Sequence, residues 1–274
     1  MTASILATLL ALIRKGEPVA LVTVVDGPGV GAKALVTPSG VLGSLGNDAL
    51  DRAVTGDARA MLMHGSIGTR HFGEQGEQRE DVLEVFIQSF APRPRMYVFG
   101  AIDFSRATVQ IGKLLGYHVT VCDARATFAT RKRFPEADEV VVRWPHEFLA
   151  EAPVDERTAL CVLTHDPKFD VPLLMAAVRT PAAYVGAMGS RRTHRNRMRR
   201  LREEGVSADE LQRIRGPIGL DIGARTPEEV AVAIAAEIIA LRYGKRALAL
   251  SNRSGPVHGE LAPERSVEKG AATA

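Results

Sequence analysis

The 274-residue sequence is poor in cysteine, in aromatic residues and in net charge. Its two cysteines, Cys122 and Cys161, both fall in apolar runs. They are expected as buried thiols rather than as a disulfide or a metal site. Lys and Arg number 35 against 32 Asp and Glu, a net charge of only +3, which does not imply a nucleic-acid partner. No run reaches the roughly 18 apolar residues of a membrane span. The apolar N-terminus has no basic residue before it and is followed by Arg14 and Lys15 rather than by a small-residue cleavage site, unlike a signal peptide. A cytoplasmic protein with no membrane or nucleic-acid partner is therefore expected. Apolar residues at 46% and charged residues at 24% exclude disorder throughout and a collagen-like chain.

The chain has two rhythms. From Met1 to about Phe90, a helix with Ile5, Leu6, Leu9, Leu10, Leu12 and Ile13 precedes strand-like runs at Pro18–Val25, Lys33–Thr37, Val41–Leu45 and Val82–Phe90, with a helix over Asp48–Met63. This predicts a small α+β domain over 1–90. Ala91-Pro92-Arg93-Pro94 serves as a linker, because each Pro forces its predecessor into extended backbone. Over 95–250, strands at Arg95–Phe99, Tyr117–Cys122, Glu139–Val142, Ala159–Leu163 and Ala183–Gly186 alternate with helices at Phe104–Leu115, Pro145–Ala150 and Lys168–Val178. A last helix covers Pro227–Tyr243, capped by Thr226. Short apolar strands between helices predict a Rossmann-like, doubly wound α/β domain. Residues 251–274 are expected as a disordered tail.

Five segments carry polar chemistry. The turn Gly100-Ala101-Ile102-Asp103 stands where a dinucleotide fingerprint belongs, but Ile102 occupies the position of the second Gly, and Asp103 would repel phosphate. Asp123, with Arg125 two residues on, either meets a ribose hydroxyl and a phosphate or caps its own turn. Thr164-His165-Asp166, with Asp170, lies on the carboxyl rim of a strand, either managing protons or capping the next helix. Gly189-Ser190-Arg191-Arg192 opens a basic helix and suits an anion. Arginines 197, 199, 200 and 202 are expected on a solvated face of that helix. Gly219 and Asp221 sit in a glycine-rich loop shaped either for a ligand or for a neighbouring strand. Gly27–Gly31 and the turn around Asn47 are expected to serve a hairpin and a helix cap.

These segments together resemble the XdhC/CoxI family, accessory proteins of molybdenum hydroxylases such as xanthine dehydrogenase. The resemblance covers about Ile5 to Arg246. It is most specific in Thr164-His165-Asp166…Asp170, in Tyr184-Val185-Gly186-Ala187-Met188-Gly189-Ser190-Arg191-Arg192-Thr193, and in the stretch from Gly216 to Glu229. It implies an XdhC-type domain followed by a Rossmann-like one, binding of the molybdenum cofactor (molybdopterin), and its protection and delivery to an apo-hydroxylase. The protein would then be a chaperone, not a catalyst, with any sulfur transfer left to a partner cysteine desulfurase. A homodimer stands open. The residues expected at the cofactor are Gly100, Asp123, Arg125, Thr164, His165, Asp166, Asp170, Gly189, Ser190, Arg191, Arg192, Gly219 and Asp221. Where the family carries Gly-Ala-Gly-His, this chain has Gly100-Ala101-Ile102-Asp103. Where the family carries Gly-Gly-Cys-Val-Glu, it has Asn47-Asp48-Ala49-Leu50-Asp51, and a second cysteine region corresponds to the stretch around Gln78. A thiolate is the natural protein ligand for a soft metal, and both family cysteines are replaced. The alternative reading is an NAD(P)-binding oxidoreductase, supported by Asp123 and opposed by Ile102 and Asp103.

Overall fold

A computed structural model describes residues 2–77 and 81–252. Of the tail expected over 251–274, Ser251 and Asn252 belong to a short 3-10 turn (Leu250–Asn252); the rest lies outside the described residues, as do residues 78–80 of the stretch around Gln78. The chain divides into two units, Met1–Pro92 and Arg93–Ala274.

The first unit runs α1 (Thr2–Lys15), β1 (Val19–Asp26), β2 (Lys33–Val36), β3 (Val41–Ser44), α2 (Asp48–His64), β4 (Ile67–Phe72) and β5 (Leu83–Phe90). Its sheet has the order β3-β2-β1-β5-β4 with antiparallel neighbours. Side chains alternate across a strand, so β1 serves two layers. Ala20, Val22 and Val24 face Leu50, Val54, Ala58, Met61 and Leu62 of α2. Val19 and Leu21 face Ile5, Leu9 and Leu12 of α1. Gly31 donates to the Val24 carbonyl at 2.9 Å, which closes the glycine-rich β1–β2 hairpin. Asn47 caps α2, accepting from the Ala49 and Leu50 N–H groups at 3.1 and 2.9 Å. Strand β4 has no counterpart among the expected elements. It is an edge strand in which only Phe72 is buried, so it shows none of the apolar alternation that marks a half-buried strand.

The second unit continues with β6 (Arg95–Phe99), α3 (Asp103–Leu114), β7 (His118–Cys122), β8 (Glu139–Val141), α4 (Pro145–Glu151), β9 (Ala159–Val162), α5 (Pro167–Ala177), β10 (Tyr184–Ala187), α6 (Arg191–Glu203), α7 (Ala208–Gln212), β11 (Ile214–Arg215) and α8 (Pro227–Arg242). The six strands are parallel in the order β11-β10-β9-β6-β7-β8. This is the Rossmann order, and it reverses direction between β6 and β9. Both faces are covered. Met96, Val98, Val119, Val121 and Cys161 pack with Val109 of α3 and with Ile234 and Ile238 of α8. Tyr97, Phe99, Leu160 and Val162 pack on the other side with Leu149 of α4, Leu173, Leu174 and Ala177 of α5, Leu201 of α6 and Leu211 of α7. Cys122 and Cys161 are free and buried within these layers, and burial pushes both thiols up to about 12. Helix α7 and strand β11 are too short for periodicity to reveal. The Ser207–Glu210 capping box that starts α7 is nevertheless a readable S-x-x-E signal.

Candidate functional site

The crevice at the β6/β9 reversal is where open α/β sheets receive ligands, and Gly100 and Thr164 meet there. Gly100 has φ +102°, and a Cβ on it would stand 2.9 Å from the Thr164 methyl and 3.0 Å from the Thr164 nitrogen. Only glycine lets the two rim loops approach so closely. The turn that follows is closed on itself. Gly100 N–H donates to the Cys122 carbonyl at 2.9 Å, Ala101 N–H to Asp123 Oδ2 at 2.7 Å and Ile102 N–H to Ser105 Oγ at 3.3 Å. Donors that would cradle a pyrophosphate in a dinucleotide-binding turn are engaged within the protein.

Asp123 is 3% exposed. Besides Ala101, it accepts from the Arg125 N–H at 2.9 Å and from the Arg125 guanidinium at 2.9 Å (Nε) and 2.7 Å (Nη2). Burial alone would raise this carboxyl, but the hydrogen bonds from Arg125 and from the two backbone N–H groups win and hold it below its ordinary value. Asp123 therefore ties its own turn to the glycine loop, and Arg125 lies over the Phe128 ring at 4.6 Å.

A second network lies where β9 and β10 meet α5 and α6. The Thr164 hydroxyl donates to Asp170 Oδ1. Asp170 Oδ2 accepts from Arg197 Nη2 at 2.7 Å, and the same nitrogen reaches the Met188 carbonyl at 2.9 Å. Both charged side chains are almost fully enclosed, at 4% and 3% exposed. Burial pushes the Asp170 carboxyl up, against the pull of Thr164 and Arg197. Arg197 is thus not on a solvated helix face as the sequence suggested. The helical repeat brings it round to the sheet side with Leu201, where the Asp170 carboxylate compensates its charge.

Above this pair is a cleft of about 400 Å³ between the start of α5 and α6, lined by His165, Pro167, Asp170, Val171, Ser190, Arg192, Thr193, Asn196, Arg197 and Arg200. Ser190 caps α6, accepting from the Thr193 N–H at 3.1 Å. The positive end of the α6 dipole and its first N–H groups, which have no intrahelical acceptor, meet here. Of the expected site residues, His165, Asp170, Ser190 and Arg192 line the cleft, with Thr164 behind Asp170. Asp166 caps α5, accepting from Lys168 N–H at 3.1 Å. Arg191 instead stands in solvent 3.6 Å from Asp221, both more than four-fifths exposed. Gly219 N–H donates to Glu237 Oε2 at 2.9 Å, and that same oxygen accepts from the Tyr184 hydroxyl at 2.5 Å, so Gly219 closes a loop against α8. Thr193, Asn196, Arg197 and Arg200 line the cleft as well and are not among the residues expected there. Their spacing of three and four residues, which puts them on one helix face, is the signal that finds them.

The family model described as the XdhC Rossmann domain matches residues 96–238, and that of the XdhC and CoxI family matches 12–73. The chain belongs to the XdhC/CoxI family. The XdhC match spans the cleft and all of its lining residues. Among relatives, the chain is 29% identical over 237 residues to YqeB of Escherichia coli (strain K12), described as uncharacterized, covering 82% of this chain and 44% of that protein. It is 31% identical over 163 residues to a probable xanthine dehydrogenase subunit of Bacillus subtilis (strain 168), covering 60% and 47%. It is 31% identical over 160 residues to the molybdenum cofactor insertion chaperone PaoD of Escherichia coli (strain K12), covering 58% and 44%. The chain thus spans about half the length of these curated relatives. A crystal structure described as a xanthine dehydrogenase from Bacillus halodurans shares the fold, with a TM-score of 0.53, 19% identity, and coverage of 89% of this chain and 97% of that one.

Proposed function

We propose that this protein is a maturation chaperone that binds the molybdenum cofactor and delivers it to a molybdenum hydroxylase. The observation that supports it best is the α5/α6 cleft, where three guanidiniums and a helix N-terminus face one carboxylate. That donor set fits the anionic end of a pterin cofactor. The likeness to a cofactor insertion chaperone points the same way. Bound cofactor supplies the molybdenum centre that the recipient enzyme needs. This chain's residues hold and orient it: Ser190, Arg192 and Arg200 at the mouth, Arg197 at the floor, and Thr164 and Asp170 fixing Arg197.

The fit is to the phosphate end. Cys122 and Cys161 are sealed in the two core layers, and among the described residues no three His, Cys, Asp or Glu side chains gather as a metal-ligand group. In this reading metal coordination in the loaded complex falls to the cofactor and to the recipient apo-hydroxylase, and any sulfur transfer to a partner cysteine desulfurase. The NAD(P) alternative is weakened by the self-closed Gly100 turn and by Asp123, whose carboxylate oxygens serve Ala101 and Arg125. Deleting this protein from its host tests the chaperone role. A molybdenum hydroxylase should then accumulate at normal abundance with its cofactor content lowered. Full cofactor occupancy in every host hydroxylase would contradict the proposal.

A further inference from the structure

We infer that the α5/α6 cleft is a site for a phosphate monoester, with buried Arg197 as its anchor, and that it discriminates against ligands whose only phosphates lie in a bridging pyrophosphate. The inference rests on the reading of this cleft as the cofactor site, and it names the chemical class that the cleft takes.

Arg197 is 4% exposed yet lines the cleft. Its Nη2 is committed to Asp170 and to the Met188 carbonyl. Its Nη1 is buried with no hydrogen-bond partner. A buried donor on a charged group without an acceptor is destabilising, and the side chain that carries it belongs to the lining of the cleft. Asp170 and Thr164 fix one edge of the guanidinium, so the other edge is held in place before any ligand arrives. Arg192 and Arg200 add two more guanidiniums, and Ser190 and Thr193 supply hydroxyls. Asp170 is the sole carboxylate in the lining and is already paired with Arg197. An excess of positive charge, with one guanidinium held in place and two more at the rim, suits a dianion with three terminal oxygens, which is a phosphate monoester near neutral pH.

The pyrophosphate place of this fold is the turn after its first strand. Here Gly100, Ala101 and Ile102 donate their N–H groups internally, and the exposed Asp103 carboxylate stands at the turn, 3.5 Å from the Arg133 guanidinium, which is itself spent on Asp103 and on the Ala101 carbonyl at 3.1 Å. The crevice therefore gathers its uncommitted guanidiniums at α6, while the β6 turn spends its loop N–H groups internally. A bridging pyrophosphate leaves no terminal dianion for the α6 position and finds the Gly100, Ala101 and Ile102 N–H groups of the β6 turn already engaged.

Calorimetric titration of the full chain with ribose 5-phosphate and with NAD+ tests this. Ribose 5-phosphate should bind at least about tenfold more tightly than NAD+, and Arg197→Lys, which keeps the charge but loses the fork, should weaken it by about tenfold or more. Because the Arg197–Asp170 pair is buried, Arg192→Gln and Arg200→Gln serve as variants that leave it intact, and each should weaken ribose 5-phosphate about fivefold or more. NAD+ binding as tightly as ribose 5-phosphate, no ribose 5-phosphate binding at millimolar concentration, or unchanged affinity in both rim variants would overturn the inference. Ribose 5-phosphate binding by a protein that never copurifies with a pterin would sustain the site and sink the chaperone reading. Copurified pterin without ribose 5-phosphate binding would do the reverse.

Discussion

At the scale of the residue, the site is organised by groups whose neighbours decide their state. Arg197 and Asp170 are tolerable in the interior because their opposite charges compensate each other across a 2.7 Å contact, although Arg197 Nη1 stays without an acceptor. Removing one partner of such a pair costs about 3–5 kcal/mol, whereas a surface pair such as Arg191–Asp221 is worth about 1 kcal/mol or less. His194, one helical turn from the cap of α6, shows the opposite case. Its Nδ1 is buried without a partner, and a Cβ on Gly216 would stand 2.2 Å from that atom, so a side chain there would have to displace the imidazole. Burial, aided by the Arg197 charge, lowers the His194 pKa. The folded protein then takes up this proton less readily than the unfolded chain, so stability should fall as pH drops below the ordinary histidine value of about 6.5. Urea midpoints at pH 7.5 and 5.5 would check this. The acid-side loss should shrink in His194→Gln, and an equal loss in the variant would assign it to other groups. Histidine type and position were visible in the sequence, but its unpartnered burial was not.

At the scale of the element, legibility followed burial and caps. Strands β6, β7 and β9 are covered on both faces, so their uninterrupted apolar runs announced them. Helix α8 announced itself through Thr226, Pro227 and Glu229, which form a capping box with Pro at the first turn. Strand β4, solvated at an edge, left no such pattern. Helix α6 was legible as an element and misread as a surface. Its arginine run suggested a uniformly wet face, whereas the turn geometry sends Arg197 inward and Arg199 outward, 68% exposed. In the first unit, the stretch Asn47–Asp51, where the family carries a cysteine turn, performs a structural task. Asn47 caps α2, and Asp51 Oδ1 accepts from Leu45 N–H at 2.7 Å. Asn47→Ala should lower stability by about 1 kcal/mol, read as a shift in the urea midpoint. No shift would mean that the cap is replaced by water.

At the scale of the whole molecule, motif order made the family and the doubly wound sheet readable, because glycine turns and strand spacing are local features. The ligand cleft was only half readable. Ser190, Arg192, His165 and Asp170 belong to recognisable motifs, but Arg197 reaches them only through the packing of α6 on α5 and β10. Asp123 and Gly219 carry the right chemistry and are turned to internal use, a choice made by tertiary contacts that no window of sequence contains. That the α5/α6 cleft holds an anionic pterin cofactor is tested by mass spectrometry with elemental analysis of the full chain purified gently from its own host, wild type beside an Arg192→Gln, Arg200→Gln double variant. Pterin should accompany the wild-type protein and be markedly depleted from the variant. Equal pterin in both proteins, or a nicotinamide nucleotide in its place, would contradict it.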